Sequence, residues 1–511
     1  MKAVQSPLFV PALWEKEHFK ILDETLLPWK VEYITVKEVS EALRAVKEMK
    51  TRAFGQVLTF LYAAALVARS AKTQNSEPLR ERLARLVEEF TEARPTFDFE
   101  GIAKYFDPWF QGLSPGEATG SWLEGKIHEL VAIIQRTRME RARRAADLLP
   151  DPCRLLTHCN ISGELVAVAE WCREMGKEIR IMATETRPYL QGSRLTAWEL
   201  SQAGFRVALI PDCAVAQVMA KGEVNAVVVG ADRCAQNGDV INKVGTYPIA
   251  LMAKEHGIPF YALVQNPGSL ASGKDVLIEE RPVAELFNFQ GRSHIPEGLQ
   301  GRYPAFDVTP ASLISSLIGF DGAFTPESFR QRFQNTHAAA SNGKKEKEPY
   351  ILLYGIPKSG SYSHLSSALK AQRAQTVLVP EMRPELWGVH VIARELLERN
   401  IPTTLISDNM MGAFFAQGQI KRLYLFYSEL SEKGPVGICG SLLAALLAAA
   451  HGVSVELLAS EEARQSPLDR EVSTFMGEKV CPDRVTIYPI EREVIPWSLF
   501  KENKEGAHEK D

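Results

Sequence analysis

From Arg154 the chain takes on a regular rhythm. Short apolar runs at Arg154–His158, Ile179–Thr184, Val207–Pro211, Ala226–Gly230 and Pro259–Val264 alternate with stretches of helical period that begin near Gly163, Gly192, Ala214 and Gly245. Apolar runs bounded in this way read as strands, and strands alternating with helices predict βαβ units in a doubly wound parallel sheet. The rhythm returns from Tyr350, with runs at Ile351–Tyr354, Thr376–Val379, Thr403–Ile406, Arg422–Phe426 and Val453–Leu458. The stretch Gly440–Ala450 is apolar nearly all round, which predicts a buried helix too short to cross a bilayer.

The first 150 residues or so read mostly as helix. Between Ile127 and Leu148 apolar residues fall at Ile127, Leu130, Val131, Ile134, Ala145 and Leu148, near the helical period, while Arg136, Arg138, Arg141, Arg143 and Arg144 take much of the remainder. Such a charge run is expected to be a solvated face, with some arginines paired to acids such as Glu140 and Asp147. The expected organisation is a helical domain over 1–150, a sheet domain over 151–330, a linker over 331–349, a second sheet domain over 350–500 and a charged tail over 501–511. The fold class is α/β.

The two sheet domains share a repeat. Glu185-Thr186-Arg187-Pro188-Tyr189-Leu190-Gln191-Gly192 reappears as Glu381-Met382-Arg383-Pro384-Glu385-Leu386-Trp387-Gly388, an offset of 381 − 185 = 196 that also relates Glu199 to Glu395, Asp212 to Asp408 and Asp232 to Ser428. The polar turn Thr157-His158-Cys159-Asn160 is matched, after a one-residue gap, to Tyr354-Gly355-Ile356-Pro357. The second copy then lacks a thiol (Ile356), a carboxylate (Ser428), the amide of Gln191 (Trp387) and the Asn242-Lys243 pair (Ile438-Cys439). The chemistry is therefore expected in the first copy alone.

Composition narrows the partners. A formal charge of −4 over 511 residues, with both signs mixed, gives no field that would attract nucleic acid or an anionic membrane. The run Pro7 to Trp14 is too short and too broken by prolines for a signal core, and seven cysteines without a CxxC pair imply reduced thiols and no structural metal. A cytoplasmic protein acting on a small molecule, without cofactor, is the expectation.

In a parallel sheet ligands bind beyond the carboxyl ends of the strands. There this sequence places Thr157-His158-Cys159-Asn160, Glu185-Thr186-Arg187, Asp212 and Gly230-Ala231-Asp232. The helix after Asn160 offers its amino end as an anion cradle, and Arg187, Arg194, Arg233 and Lys243 could add charge for a phosphate. Cys159, whose thiol a nearby cation or dipole could partly ionise, and Asp232, whose pKa would rise in a closed mouth, form an acid/base pair. The competing readings are a small buried hydrophobe for Cys159, a helix cap or Arg233 partner for Asp232, and a satisfied core histidine for His158.

These motifs, together with Ile21-Leu22-Asp23-Glu24-Thr25-Leu26-Leu27-Pro28, the stretch Glu185 to Leu200, Asn237 to Tyr247 and Phe306-Asp307-Val308-Thr309-Pro310, resemble the methylthioribose-1-phosphate isomerase family. That family also holds ribose-1,5-bisphosphate isomerases and the regulatory subunits of the eukaryotic translation initiation factor 2B. The resemblance covers residues up to about 329 and implies a helical amino-terminal domain followed by a Rossmann-like domain, to which the internal repeat adds a second in tandem. It implies Cys159 and Asp232 as the catalytic pair, Asp232 being the proton donor. Gln191, Asn242 and Lys243 would hold the substrate, with Arg94 and the turn Arg52-Ala53-Phe54 completing the sugar and phosphate contacts. The reaction implied is aldose-to-ketose isomerisation of 5-methylthioribose 1-phosphate, a step of methionine salvage.

Two departures bear on the substrate. This chain has Arg52-Ala53-Phe54-Gly55 where those isomerases usually carry Arg-Gly-Ala-Pro, and Phe97-Asp98 after Arg94-Pro95-Thr96. Phe54 and Phe97 are expected to reshape the pocket, which keeps ribose 1,5-bisphosphate and 5-deoxyribose 1-phosphate open as alternatives. A non-catalytic sensor or regulatory subunit is the alternative outside the enzyme class. Since relatives pair through their Rossmann-like domains, residues 350 to 500 are expected to act as a covalently attached partner. The result would be a pseudo-dimer within one chain, the alternative being a homodimer.

Overall fold

The computed structural model describes residues 6–70, 76–95, 97–111, 119–293, 298–333, 349–358, 376–460 and 471–500, with a few isolated positions besides. Most of the expected linker and the charged tail lie outside the described residues. The molecule is mixed α/β with two large sheets whose central strands are parallel.

The chain opens with a feature that periodicity missed, a three-stranded antiparallel sheet of Ala12–Glu15, His18–Leu22 and Tyr33–Val36. These strands are only four or five residues long, and such runs carry too few repeats to stand out from a helical background. Helices Val39–Lys47, Phe54–Arg69 and Ser76–Ala93 follow, joined by aromatic packing of Phe60 on Phe90, Phe99 and Phe106. The long helix Gly120–Leu148 then leads from this core to the first sheet.

Its arginines correct the solvated-face expectation. Arg138 and Arg141 turn inward and share the buried carboxylate of Glu164, at 3.3 and 2.6 Å, while Arg144 makes the expected surface pair with Glu140. Leaving either guanidinium unpaired at that depth would cost several kcal/mol. Glu164, 20 residues or more away in sequence, gave no signal at the spacing at which helical ion pairs are read.

The first sheet takes its main strands from Cys153–Thr157, Ile179–Thr184, Val207–Ile210, Ala226–Gly230, Phe260–Leu263 and Ser316–Ile318. Numbered in chain order they lie 3-2-1-4-5-6, the order of a doubly wound sheet. The second uses Tyr350–Tyr354, Thr376–Pro380, Thr403–Ile406, Ile420–Tyr427 and Ser454–Ala459 in the order 3-2-1-4-5. Each sheet also borrows an edge strand from the other half. Gln300–Gly301 pairs with Thr403–Ile406, and Thr486–Ile487 pairs with Val207–Ile210, with Thr404 and Ala208 as matching registers.

The helices between the sheets are exchanged in the same reciprocal way. Thr246–Glu255 packs on Met411–Ala416, and Ser441–Ala450 packs on Val215–Ala220. One apolar core runs without a break from Val227 and Met252 to Leu352 and Leu443.

Strand pairing corrects the register inferred from sequence. Cys153 pairs with Ile179 and Tyr350 with Thr376, so the 196 offset holds through the first strand with no gap. The counterpart of Cys159 is therefore Gly355, not Ile356. One residue is lost later, since Asp232 N–H donates to the Ile241 carbonyl whereas Ser428 N–H donates to that of Val436. Asn242-Lys243 accordingly faces Gly437-Ile438, one residue before the expected pair.

Candidate functional site

Cys159 follows the first strand and adopts the left-handed region at φ 66, a conformation that costs an L-residue about 1–2 kcal/mol. It is held from both sides. Its N–H donates to Thr186 Oγ1 (2.9 Å), and its carbonyl accepts from Thr196 Oγ1 (2.6 Å). The next residue, Asn160, donates from Nδ2 to Glu199 Oε1 (2.7 Å) and accepts from Ser162 N–H (2.8 Å). Thr186 is itself left-handed (φ 59), and its N–H donates to Asp212 Oδ1 at 2.7 Å.

Beneath this turn His158 is fully buried. A carbonyl can only accept, so Nε2 carries the hydrogen donated to Val244 O (3.0 Å) and Nδ1 accepts from Thr184 Oγ1 (2.6 Å). Burial pushes its pKa down to about 4. A neutral, satisfied imidazole is a scaffold group, which matches the core reading of this residue.

Asp232 sits at the mouth of the fourth strand. Its N–H donates to Ile241 O (3.0 Å) and its carbonyl accepts from Gln265 Nε2 (2.6 Å). Its side chain opens onto the cleft, yet the surrounding protein raises the carboxyl pKa above the ordinary value, with Lys243 and Arg94 pulling the other way. Water still reaches this group, so the upward push grows when a ligand covers it.

Cys159 lies within electrostatic reach of Asp232, Lys243 and Arg52. Burial dominates there and pushes the thiol up to about 11 against the pull of the two cations. The expectation of a partly ionised thiol is thereby corrected: near pH 7 the group is a protonated thiol. The structure thus places Cys159 within electrostatic reach of Asp232, Lys243 and Arg52, and Asp232 within reach of Lys243 and Arg94, although about seventy positions separate Cys159 from Asp232.

The contacts of these cations and of the remaining predicted residues are local. Lys243 Nζ lies 3.4 Å from Tyr303 OH and over the rings of Tyr303 and Phe306, and Asn242 Nδ2 donates to Thr246 Oγ1 (2.9 Å). The Arg52 guanidinium stacks 3.7 Å from the Tyr189 ring centroid, and Arg94 pairs with Glu279 at 3.4 Å. Gln191 Oε1, Arg52 Nε and Arg94 Nε are buried without a protein partner. Buried polar atoms in that state are uncommon and point to a ligand that completes them.

The Arg52 turn is fixed by Glu24, which accepts from Thr51 Oγ1 (2.7 Å) and Arg52 N–H (2.9 Å) and whose pKa burial raises to about 7. Ala53 stands at φ 41, the region glycine favours and the position where the resembling isomerases carry glycine. The Phe54 ring is taken up by the Arg138 guanidinium (3.8 Å) and Phe97 by Phe99 (4.7 Å between centroids).

Arg187 and the helix amino end are corrected as phosphate candidates, and Arg194 is partly committed. Arg187 is buried and neutralised by Glu381 (2.8 Å), while Arg194 turns Nη2 to the Thr25 and Leu27 carbonyls and keeps its Nε buried without a protein partner. The helix Glu164–Glu174 does not offer an open amino end. Phe9 backbone covers Gly163 so closely that a Cβ there would lie 2.4 Å from Phe9 N, and the buried Glu199 carboxylate accepts the Gly163 N–H. Sequence reasoning missed Glu199 and Asp307 as parts of the site's frame. Asp307 accepts from Gly245 and Tyr247 N–H (2.7 and 3.1 Å), capping the helix that follows Lys243. The stretch Phe306–Pro310 carried that signal. Among the described residues no group of three or more His, Cys, Asp or Glu is arranged to hold a metal, and no helix is long and apolar enough to cross a membrane.

Known proteins resemble this chain in sequence and fold. A model of the initiation factor 2 subunit family matches residues 55–326 and 332–463. Methylthioribose-1-phosphate isomerase of Desulforudis audaxviator is 39% identical over 336 residues, covering 61% of this chain and 93% of that protein. The enzyme of the same name from Pelotomaculum thermopropionicum is 36% identical over 321 residues, 60% of this chain and 88% of that one. Among solved structures, 5-methylthioribose 1-phosphate isomerase from Pyrococcus horikoshii OT3 superposes with a TM-score of 0.56 at 30% identity, covering 65% of this chain and 98% of its own. Translation initiation factor eIF-2B subunit delta from A. fulgidus gives 0.54 at 35% identity, with 62% and 96% covered.

Proposed function

We propose that this chain, which belongs to the initiation factor 2 subunit family, is an aldose-ketose isomerase that converts 5-methylthioribose 1-phosphate to 5-methylthioribulose 1-phosphate. The observation that supports this reading is that Cys159 lies within electrostatic reach of both Asp232 and Lys243, and Asp232 within reach of Lys243. A sensor needs affinity but no such acid/base couple. The similarity to isomerases of that name at 36–39% identity supports it.

Phosphate on the anomeric oxygen blocks ordinary hemiacetal opening, so the enzyme must protonate the ring oxygen itself. Asp232, raised by its surroundings, is the acid for that step. Ring opening lets a hydrogen move formally from C2 to C1, and the protonated Cys159 thiol assists that transfer. Gln191, Asn242 and Lys243 hold the sugar, and Arg52 and Arg94, from the helical domain over 1–150, complete the contacts. Closing such a site over substrate excludes water and strengthens each of these interactions.

The domain reading belongs to the same proposal. Residues 151–330 form the catalytic Rossmann-like unit, and 350–500 form a second copy that has lost its chemistry and acts as a resident partner in a cytoplasmic protein. The reciprocal edge strands and helices support this.

The test is direct. Purified protein is given 5-methylthioribose 1-phosphate, ribose 1,5-bisphosphate and 5-deoxyribose 1-phosphate, and ketone formation is followed. The first should turn over fastest, and Cys159→Ser and Asp232→Asn should each lower kcat by about 10²–10⁴-fold. Absence of turnover with all three compounds overturns the enzymatic reading.

A further inference from the structure

We propose that Glu381 and Asn409, in the second copy, are positioning residues for Cys159 in the first, so that the catalytic turn is held from outside its own domain. The inference rests on the isomerase reading above. Glu381 grips the Arg187 guanidinium through Oε1 and Oε2 at 2.8 and 2.9 Å, and Asn409 Nδ2 donates to the Arg187 carbonyl at 2.9 Å. Arg187 adjoins Thr186, whose Oγ1 receives the Cys159 N–H. Asn409 also stands against Gly245, where an added Cβ would lie 2.9 Å from both the Asn409 Cβ and the His158 ring.

Residues of the second copy therefore meet two of the backbone turns that frame the cleft. They support the left-handed pair Cys159 and Thr186, a geometry that persists only where its surroundings over-determine it. Ser407 Oγ donates to Asn409 Oδ1 (2.7 Å), fixing which end of the amide faces Arg187.

The fold supplies its own control. Cys213 is the 196-offset counterpart of Asn409, and its Sγ donates to the Arg383 carbonyl (3.4 Å), the mirror contact onto the second copy's turn. A purely structural interface treats the two contacts alike. A positioning role makes only one of them matter for turnover.

Full-length Asn409→Ala, Glu381→Gln and Cys213→Ala are compared for kcat and KM with 5-methylthioribose 1-phosphate, for Tm, and for the rate at which iodoacetamide alkylates Cys159, read by peptide mass spectrometry. The first two should lower kcat by about tenfold or more with KM changed less than about threefold, as small displacements of reacting groups do. They should also change the Cys159 alkylation rate, whereas Cys213→Ala should leave kcat and alkylation at wild-type values. Wild-type kcat and alkylation in Asn409→Ala would overturn the proposal, as would an equal loss of kcat in Cys213→Ala. If Glu381→Gln does not fold, Asn409→Ala decides. If the wild type turns over no sugar phosphate, the isomerase reading fails while the alkylation rates still decide whether the second copy sets the Cys159 turn.

Discussion

In the first sheet unit His158 donates from Nε2 to the Val244 carbonyl; in the second, Tyr354 OH donates to the Cys439 carbonyl at the matching place. Asp212 accepts from the N–H groups of Thr186 and Arg187, and Asp408 from those of Met382 and Arg383. Asp307 caps one helix and Glu493 the other. At the cleft the likeness stops: Cys159 becomes Gly355, which keeps the left-handed backbone (φ 95) without a side chain, and Asp232 becomes Ser428. Groups that satisfy buried partners survived in both copies because removing one strands the other, at about 1–3 kcal/mol for a hydrogen bond and more for a charge. Groups that faced the cleft had no such tie. On the proposed reading, catalysis is the shallow layer of this fold and pairing the deep one.

The largest effects are expected where the copies interlock. Arg187 pairs with Glu381 and Arg383 with Glu185, all four side chains being no more than 2% exposed, and the Phe475 ring lies under both guanidinium groups. Arg187→Met and Arg383→Met each leave a buried carboxylate without its cation, so each should cost about 3–5 kcal/mol in urea denaturation. Near-equal losses would confirm that the interface treats its halves alike. A loss confined to one variant would break the pseudo-twofold reading.

Most of the fold was legible in the sequence, and less of the site was. Five of the six main strands of the first sheet and all five of the second were found to within a residue or two because buried parallel strands are continuous apolar runs, whereas the three-residue strand Ser316–Ile318 fell in a stretch that read as loop. Cys159 and Asp232 were reached by placing strand ends at one mouth, and the structure brings both within electrostatic reach of Lys243; Asn242 was reached only through the family resemblance. What escaped was whatever depended on a partner distant in sequence. Arg187 looked like a phosphate ligand until Glu381 was beside it, and Arg138 looked solvated until Glu164 was beneath it. The exchanged edge strands Gln300–Gly301 and Thr486–Ile487 are two residues long and carry no pattern at all.

Next in size are the helix caps. Burial raises Asp307 to about 8 and Glu493 to about 7. An acid whose folded pKa lies above its unfolded value near 4 binds protons more tightly when folded, so its contribution is complete below pH 4 and is lost as pH rises through the folded value. Each group can therefore make stability fall by at most about 1.4 kcal/mol per pH unit. Asp307→Asn should flatten the decline up to about pH 8, and Glu493→Gln only up to about pH 7, in denaturation at fixed pH steps. Asp307→Asn should also lower kcat, because it loosens the helix start that follows Lys243, whereas Glu493→Gln should not. Identical profiles for the two variants would mean that the caps answer to a common field rather than to their own burial.

The smallest effect separates two glutamates that the repeat makes equivalent. Glu199 is fully buried, bonded to Ser6 and Asn160, and lifted to about 7 by burial. Glu395 is only half-buried and pairs with Arg399 one turn on. The first copy is covered by the amino-terminal segment through Ser6 and Phe9, so the same residue serves a fully buried network in one place and a more exposed ion pair in the other. Glu395→Ala should change stability by no more than about 0.5 kcal/mol, and less at high salt. Glu199→Ala should cost about 1–3 kcal/mol and slow turnover, since Asn160 then loses its anchor beside the thiol. A large loss from Glu395→Ala, measured by thermal denaturation with and without 1 M salt, would mean that the second copy is covered as well and that its surface has a partner.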